Sequence, residues 1–269
     1  MTGSFLEDSL RHVRADSASP EYERGVPAAG PALRPSLREA IARSAAAGAL
    51  VVEYKRASPG SAVPLPAPRT VEEFVAGSAS EVVSAYSCLA TTFGFDGAPA
   101  RVAELVGRTA KPVLFKEFVV GPRQIDVAAR TGAAAILLLA RLEGTGLLEV
   151  PLSELAGLAR RRGLEVLLEF HAPAELSRAP DVEADVYGVN VRDLSTLAID
   201  RPTAWSTLEL AARRGLRPLL GLSGVGSPAD AREFWTRGCD GILVGSAVAR
   251  SADPERFLRS LRRRGEGPS

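Results

Sequence analysis

Lysines and carboxylates stand where several apolar runs of this sequence end. Glu53 and Lys55 follow Leu50-Val51-Val52, Lys116 follows Val113-Leu114-Phe115, and Glu169 lies inside Leu164-Glu165-Val166-Leu167-Leu168-Glu169-Phe170. A lysine at the end of a buried strand can protonate an oxygen that gains negative charge. A neighbouring carboxylate can take up or return a proton, so the set suits acid–base work on a carbonyl. Taken singly, a strand-end lysine or glutamate is more often half of an ion pair closing a rim. Glu169 is the exception, because a charge in an apolar strand is costly without a partner, which Lys55 or Lys116 could supply.

These residues need a scaffold that brings strand ends together. Eight runs rich in Val, Leu and Ile can be marked: Ala49 to Lys55, Val82 to Leu89, Pro112 to Lys116, Ala133 to Ala140, Leu164 to Phe170, Val186 to Asn190, Pro218 to Ser223 and Gly241 to Gly245. Each is too continuous to be half-exposed. Helix-like stretches alternate with them: Val71 to Ala76, Val102 to Arg108, Gln124 to Arg130, Ser153 to Arg162, Thr207 to Arg214, Pro228 to Arg237 and Arg256 to Leu261. Gly132, Gly163, Gly215 and Gly238 fall where helix C-cap glycines belong. Strand–helix alternation repeated eight times predicts a (βα)8 TIM barrel, an α/β fold, over 48–269. Residues 1–47 read as a helical extension packed on it, with helices over Phe5 to Val13 and Pro35 to Ala47. Ala15 to Gly30 is expected to be a disordered stretch, and Pro64 to Pro68 is a Pro-rich loop.

Composition removes whole classes of function. With 33 basic and 32 acidic residues the net charge is +1, which gives no electrostatic footprint for nucleic acid or a polyanionic surface but still admits small anionic ligands, which need local charge only. Cys88 and Cys239 are far apart in or beside apolar runs, as expected of buried thiols in a reducing, cytoplasmic compartment. No apolar run is long enough to span a bilayer, and Glu7, Asp8 and Arg11 interrupt any secretory signal. His12 and His171 with two separated cysteines make a zinc site improbable. The chemistry therefore falls to lysines and carboxylates.

In a TIM barrel the ligand sits at the C-terminal ends of the strands. The polar residues there are Glu53, Lys55, Lys116, Glu169, Asn190 with Arg192, Ser223 with Gly224, and Gly245 with Ser246. The two Gly-Ser turns can be plain turns or helix caps, as Ser227 caps a helix starting at Pro228. They can also bind phosphate through backbone N–H groups, the usual use of that corner of the fold. Asn190 can equally satisfy loop backbone, and Arg192 can be a solvated charge. Phe93 and Phe95 can be packing residues or the wall an aromatic substrate needs.

Five segments together resemble indole-3-glycerol phosphate synthase: Glu53-Tyr54-Lys55-Arg56-Ala57-Ser58-Pro59, Pro112-Val113-Leu114-Phe115-Lys116-Glu117-Phe118, Leu168-Glu169-Phe170-His171, Gly188-Val189-Asn190-Val191-Arg192-Asp193-Leu194 and Gly241-Ile242-Leu243-Val244-Gly245-Ser246. The resemblance runs from the N-terminal extension to the last helix. It implies a cofactor-free lyase of tryptophan biosynthesis, expected here as a monomer. Its substrate would be a small phosphorylated molecule, 1-(2-carboxyphenylamino)-1-deoxyribulose 5-phosphate, whose pyrrole ring it closes with loss of carbon dioxide and water. By resemblance, Lys116 is the general acid for ring closure, and Lys55 and Glu169 serve the later proton transfers. Glu53 and Asn190 orient sugar hydroxyls and lysines, Arg192 meets the substrate carboxylate, and Ser58, Ser223, Gly224, Gly245 and Ser246 surround the phosphate.

Departures from the family pattern are equally specific. Leu222 stands where a glutamate is usual, and Pro59-Gly60-Ser61-Ala62-Val63 lacks a usual loop lysine. Leu89-Ala90-Thr91-Thr92 lacks a usual glutamate, and Glu117 replaces an aspartate. They motivate two alternatives to the synthase itself: a diverged lyase acting on a related arylamino-sugar phosphate, or a catalytically weak barrel that binds a sugar phosphate.

Overall fold

Strands buried on both faces have no polar face to alternate with, and the eight apolar runs pair as that demands. A computed structural model describes residues 4–31, 33–60, 65–66, 69–78, 81–178 and 181–263, so the Pro64 to Pro68 loop and the altered 59–63 stretch lie partly outside the described residues. The strands are β1 (Ala49–Tyr54), β2 (Ala85–Leu89), β3 (Val113–Lys116), β4 (Ala135–Leu139), β5 (Glu165–Phe170), β6 (Val186–Asn190), β7 (Leu219–Leu222) and β8 (Gly241–Val244). Each pairs in parallel with the next, and β8 returns to β1 through Ala49 to Gly241 and Val52 to Val244, closing a (βα)8 barrel.

The outer ring consists of α3 (Val71–Ala76), α4 (Pro99–Gly107), α5 (Pro122–Thr131), α6 (Leu152–Arg161), α7 (Arg201–Arg213), α8 (Pro228–Thr236) and α10 (Pro254–Leu261), with a short α9 (Ser246–Arg250) directly after β8. Ser227 caps α8 by accepting from the Asp230 N–H, and Gly132 ends α5 at φ 82°, a left-handed turn that side-chain-bearing residues adopt at a cost. Gly163, Gly215 and Gly238 have the same sign of φ. Between β5 and β6, where the sequence shows no helix-like stretch, the described chain forms a 3-10 turn, Pro173–Ser177. Pro173 opens that segment and Pro180 follows it closely, punctuation that suits a tight turn better than a long helix.

Two further helices precede the barrel. α2 (Leu37–Ser44) buries Leu37 and Ile41 completely, and the Arg38 N–H donates to Glu165 at the start of β5 at 2.9 Å, so it covers the N-terminal end. α1 (Phe5–Ala18) begins with a capping box between Ser4 and Glu7 and lies over the opposite end, where the Phe5 N–H donates to the Ser195 carbonyl at 3.1 Å. The disorder expected from Ala15 to Gly30 is not found in its first half. α1 continues to Ala18, and Pro20–Glu23 forms a 3-10 turn that buries Tyr22. Long-range bonds invisible to composition hold it, for Arg123 donates to the Ala18 and Ser19 carbonyls and pairs with Glu23 at 2.8 Å. Among the described residues no helix is long and apolar enough to cross a membrane.

Candidate active site

Odd-numbered strands contribute alternate layers to a filled barrel. Near the C-terminal ends that layer comprises Glu53 on β1, Lys116 on β3, Glu169 on β5 and Leu222 on β7. Glu53 takes the bridging position: its Oε2 accepts from Lys116 Nζ at 2.7 Å and its Oε1 lies 2.5 Å from Lys55 Nζ. Glu169 sits across the layer, where Oε1 accepts from Asn190 Nδ2 at 2.9 Å and Oε2 is buried without a hydrogen-bond partner. The Asn190 Oδ1 in turn accepts from the Arg192 N–H at 3.0 Å. Leu222 is buried and leans toward Gly188, where an added Cβ would meet its Cδ1 at 2.8 Å.

Two lysines and two carboxylates withdrawn from water cannot all keep their ordinary proton affinities. Burial pushes the Glu53 carboxyl up, but the charges of Lys116 and then Lys55 overcome it and hold the group at about 2. Lys55 is drawn below the ordinary lysine value, first by burial, against the pull of Glu53 and with help from the Lys116 charge. Lys116 is also penalised by burial, yet it faces Glu53 and Glu169 together and ends above the ordinary value. Glu169 is raised by burial, only partly opposed by Lys116 and by the Asn190 amide. The cluster thus holds a firm ammonium (Lys116), a looser one (Lys55), a fixed anion (Glu53) and a carboxyl with raised proton affinity (Glu169). That is the inventory for moving protons in more than one step.

Beside it opens a cavity of about 300 Å³. Glu53, Lys55, Lys116, Asn190 and Arg192 line one part; Ser58, Ser223, Gly224, Gly245 and Ser246 line another. Ser223 and Gly224 are both left-handed, at φ 66° and 71°, and an added Cβ on Gly224 would meet Val191 Cγ2 at 2.5 Å. A non-glycine residue in that region is strained, and such strain collects at ligand sites. Gly245 permits close packing under the lysines: a Cβ there would come 2.6 Å from Lys55 Cε and 2.8 Å from Glu53 Oε1. Ser58 Oγ lies 3.2 Å from Ser246 Oγ, tying the β1 loop to the start of α9. These turns and hydroxyls can cradle an anion. A smaller, mainly apolar recess of about 30 Å³ adjoins Lys116, Glu169 and Asn190, walled by Phe95, Phe118, Leu137 and Leu194.

Every residue anticipated for the site lines one of these two spaces except Phe93. It faces away, stacked on His12 at 4.0 Å and on Phe5 at 5.8 Å, because α1 occupies that side of the loop. Sequence reasoning missed Arg250, at the end of α9 on the cavity wall, and the buried pair Thr91 and Glu117 in the recess. Arg250 could have been found as the basic residue one helical turn beyond Gly245-Ser246. Glu117 stood out only as a departure from the family pattern, and nothing in the sequence says that it is buried against Thr91. Both cysteines are buried and unbridged, and among the described residues no group of three or more His, Cys, Asp or Glu could hold a metal ion.

Comparison with known proteins places this geometry. A family described as "Indole-3-glycerol phosphate synthase" matches residues 4–261. Among curated relatives so named, that of Halobacterium salinarum is 38% identical over 176 residues, 65% of this chain and 64% of that protein, so the match spans just under two thirds of its length. That of Carboxydothermus hydrogenoformans is 32% identical over 228 residues, 84% of each chain. That of Deinococcus radiodurans is 34% identical over 216 residues, 79% of this chain and 77% of the other.

Proposed function

Because the chain belongs to the indole-3-glycerol phosphate synthase family, whose members are lyases, we propose that it closes the pyrrole ring of 1-(2-carboxyphenylamino)-1-deoxyribulose 5-phosphate. The observation carrying this reading is Glu53 bridging two buried lysines across the barrel from Glu169. The aryl carbon bearing the carboxylate bonds to the ribulose carbonyl carbon, and Lys116 gives a proton to the carbonyl oxygen as its negative charge grows. Loss of carbon dioxide returns its bonding electrons to the ring and restores aromaticity. The new hydroxyl then leaves as water, protonated by an acid while a base takes a proton from the adjacent ring carbon. Lys55 and Glu169 serve that step, being the two groups whose burial makes proton exchange easiest.

Arg192 pairs with the substrate carboxylate, the apolar recess takes the aryl ring with Phe95 in its wall, and Ser58, Ser223, Gly224, Gly245 and Ser246 hold the phosphate. On this reading the protein works as a monomer without a cofactor, and a role in tryptophan biosynthesis accords with a cytoplasmic location. Leu222 favours a second reading, since an apolar fourth member of the layer suits a related arylamino-sugar phosphate. Comparing kcat/KM for substituted aryl substrates separates the two.

Equilibrium titration with the product, indole-3-glycerol phosphate, tests the ligand class. Gly245→Ala drives a methyl against Lys55 and Glu53 beside the phosphate turns. It should weaken binding by about tenfold or more, the effect of a lost charge-assisted contact, while thermal unfolding shifts less. Absence of product binding by the unmodified chain would count against the whole reading.

A further inference from the structure

Glu117 is a buried acid that the ring-closure chemistry does not use. Only 2% exposed, it accepts through Oε1 from the Phe118 N–H at 2.8 Å and from the Thr91 hydroxyl, and Tyr22 Oη donates to its Oε2 at 3.4 Å. Thr91 lies just beyond β2, Tyr22 belongs to the turn after α1, and Phe118 begins the loop that follows Lys116. Three separate segments therefore meet on one carboxyl, one residue from the firm ammonium.

The surroundings fix those segments without neutralising it. Asp16 of α1 accepts from the Thr92 hydroxyl and faces Glu117 with like charge. Arg123 and Arg130 of α5 are paired with Glu23, Gln124 of α5 bonds the Val120 N–H and the Phe118 carbonyl, and Lys116 turns to Glu53. Burial pushes the Glu117 carboxyl up to about 7 despite its donors, and burial together with Glu117 holds the Tyr22 phenol well above its ordinary range.

We propose that Glu117 is a positioning residue: through Thr91, the Phe118 amide and Tyr22 it clamps the N-terminal segment to the end of β3, and the clamp sets where Lys116 presents its ammonium. This rests on Lys116 being the acid of the proposed reaction. The clamp responds to pH with a definite sign. A carboxyl whose value in the fold lies above its ordinary 4.5 favours the fold in its neutral form, so its contribution is complete below about 4.5 and is lost as pH rises through about 7. Ionisation beside Asp16 then loosens the segment that carries Tyr22.

Hydrogen exchange of residues 16–24, measured about one pH unit either side of that value and corrected for intrinsic rates, tests the clamp together with steady-state turnover. The unmodified chain should lose protection of this segment as pH rises. Glu117→Gln, which keeps the shape and removes the charge, should stay protected at both pH values. Tyr22→Phe and Glu117→Ala should lose protection at both and lower kcat by about tenfold with KM little changed, the cost of a misplaced acid in a retained pocket. Tyr22→Phe removes one hydroxyl only and stays informative if Glu117→Ala does not fold. Protection in the unmodified chain that is independent of pH, or full kcat in both variants, would overturn the proposal. Failure of the unmodified chain to turn over the substrate would instead remove the synthase reading, and the exchange measurement would still decide the clamp.

Discussion

Lys116→Ala should lower kcat for indole-3-glycerol phosphate formation by about 10² to 10⁴, the range for removing a positioned general acid, while the protein stays folded. Folding should survive because Glu53 keeps Lys55 at 2.5 Å, so the substitution leaves no bare anion in the barrel. KM should change far less than kcat, since the lost proton matters only as the carbonyl oxygen becomes charged. Lys116→Arg should not restore the rate. A guanidinium keeps the positive charge but holds its proton too tightly to donate it. Steady-state kinetics with a thermal melt on each variant checks this, and a Lys116→Ala protein of near-normal kcat would show that the acid lies elsewhere.

Glu53→Gln should be the most damaging single change to both stability and activity. It leaves two buried ammonium groups without the carboxylate they share, which costs about 3 to 5 kcal/mol when one partner of a buried ion pair is removed. Lys55 and Lys116 should then both release protons more easily, and kcat should fall by about 10² or more as the acid is lost at neutral pH. The pH dependence follows from the sign of the Glu53 shift. Its carboxyl is held at about 2, below its ordinary 4.5, so its contribution is present above about 4.5 and disappears as pH falls toward 2. Melting temperatures across that acid range should converge for the two proteins. A constant offset between them at every pH would contradict the bridging role.

The parts of this fold legible in the sequence are those whose burial is symmetrical. Strands such as Ala135–Leu139 are covered on both faces, so they read as unbroken apolar runs and their ends fell within three residues of the expected places, the widest miss being the start of β2 at Ala85 rather than Val82. Helix starts were harder. α7 begins at Arg201, well before the expected Thr207, because Asp200 and Pro202 supply the start and carry no apolar periodicity. The site was legible as an order of strand-end residues, since the barrel gathers such ends whatever lies between them. Side-chain direction was not: Phe93 and Phe95 are two residues apart, yet one stacks on α1 and the other lines the cavity. The buried Glu117 was equally hidden, because its partners Tyr22 and Thr91 are brought to it only by the closed fold.

The most direct single measurement is the fluorescence of indole-3-glycerol phosphate formed when the unmodified chain is mixed with 1-(2-carboxyphenylamino)-1-deoxyribulose 5-phosphate, with no metal or cofactor added. Steady turnover, with one carbon dioxide released per indole, is the result expected of a barrel whose lysines and glutamates carry the protons. Binding of the substrate without any indole or carbon dioxide would contradict it.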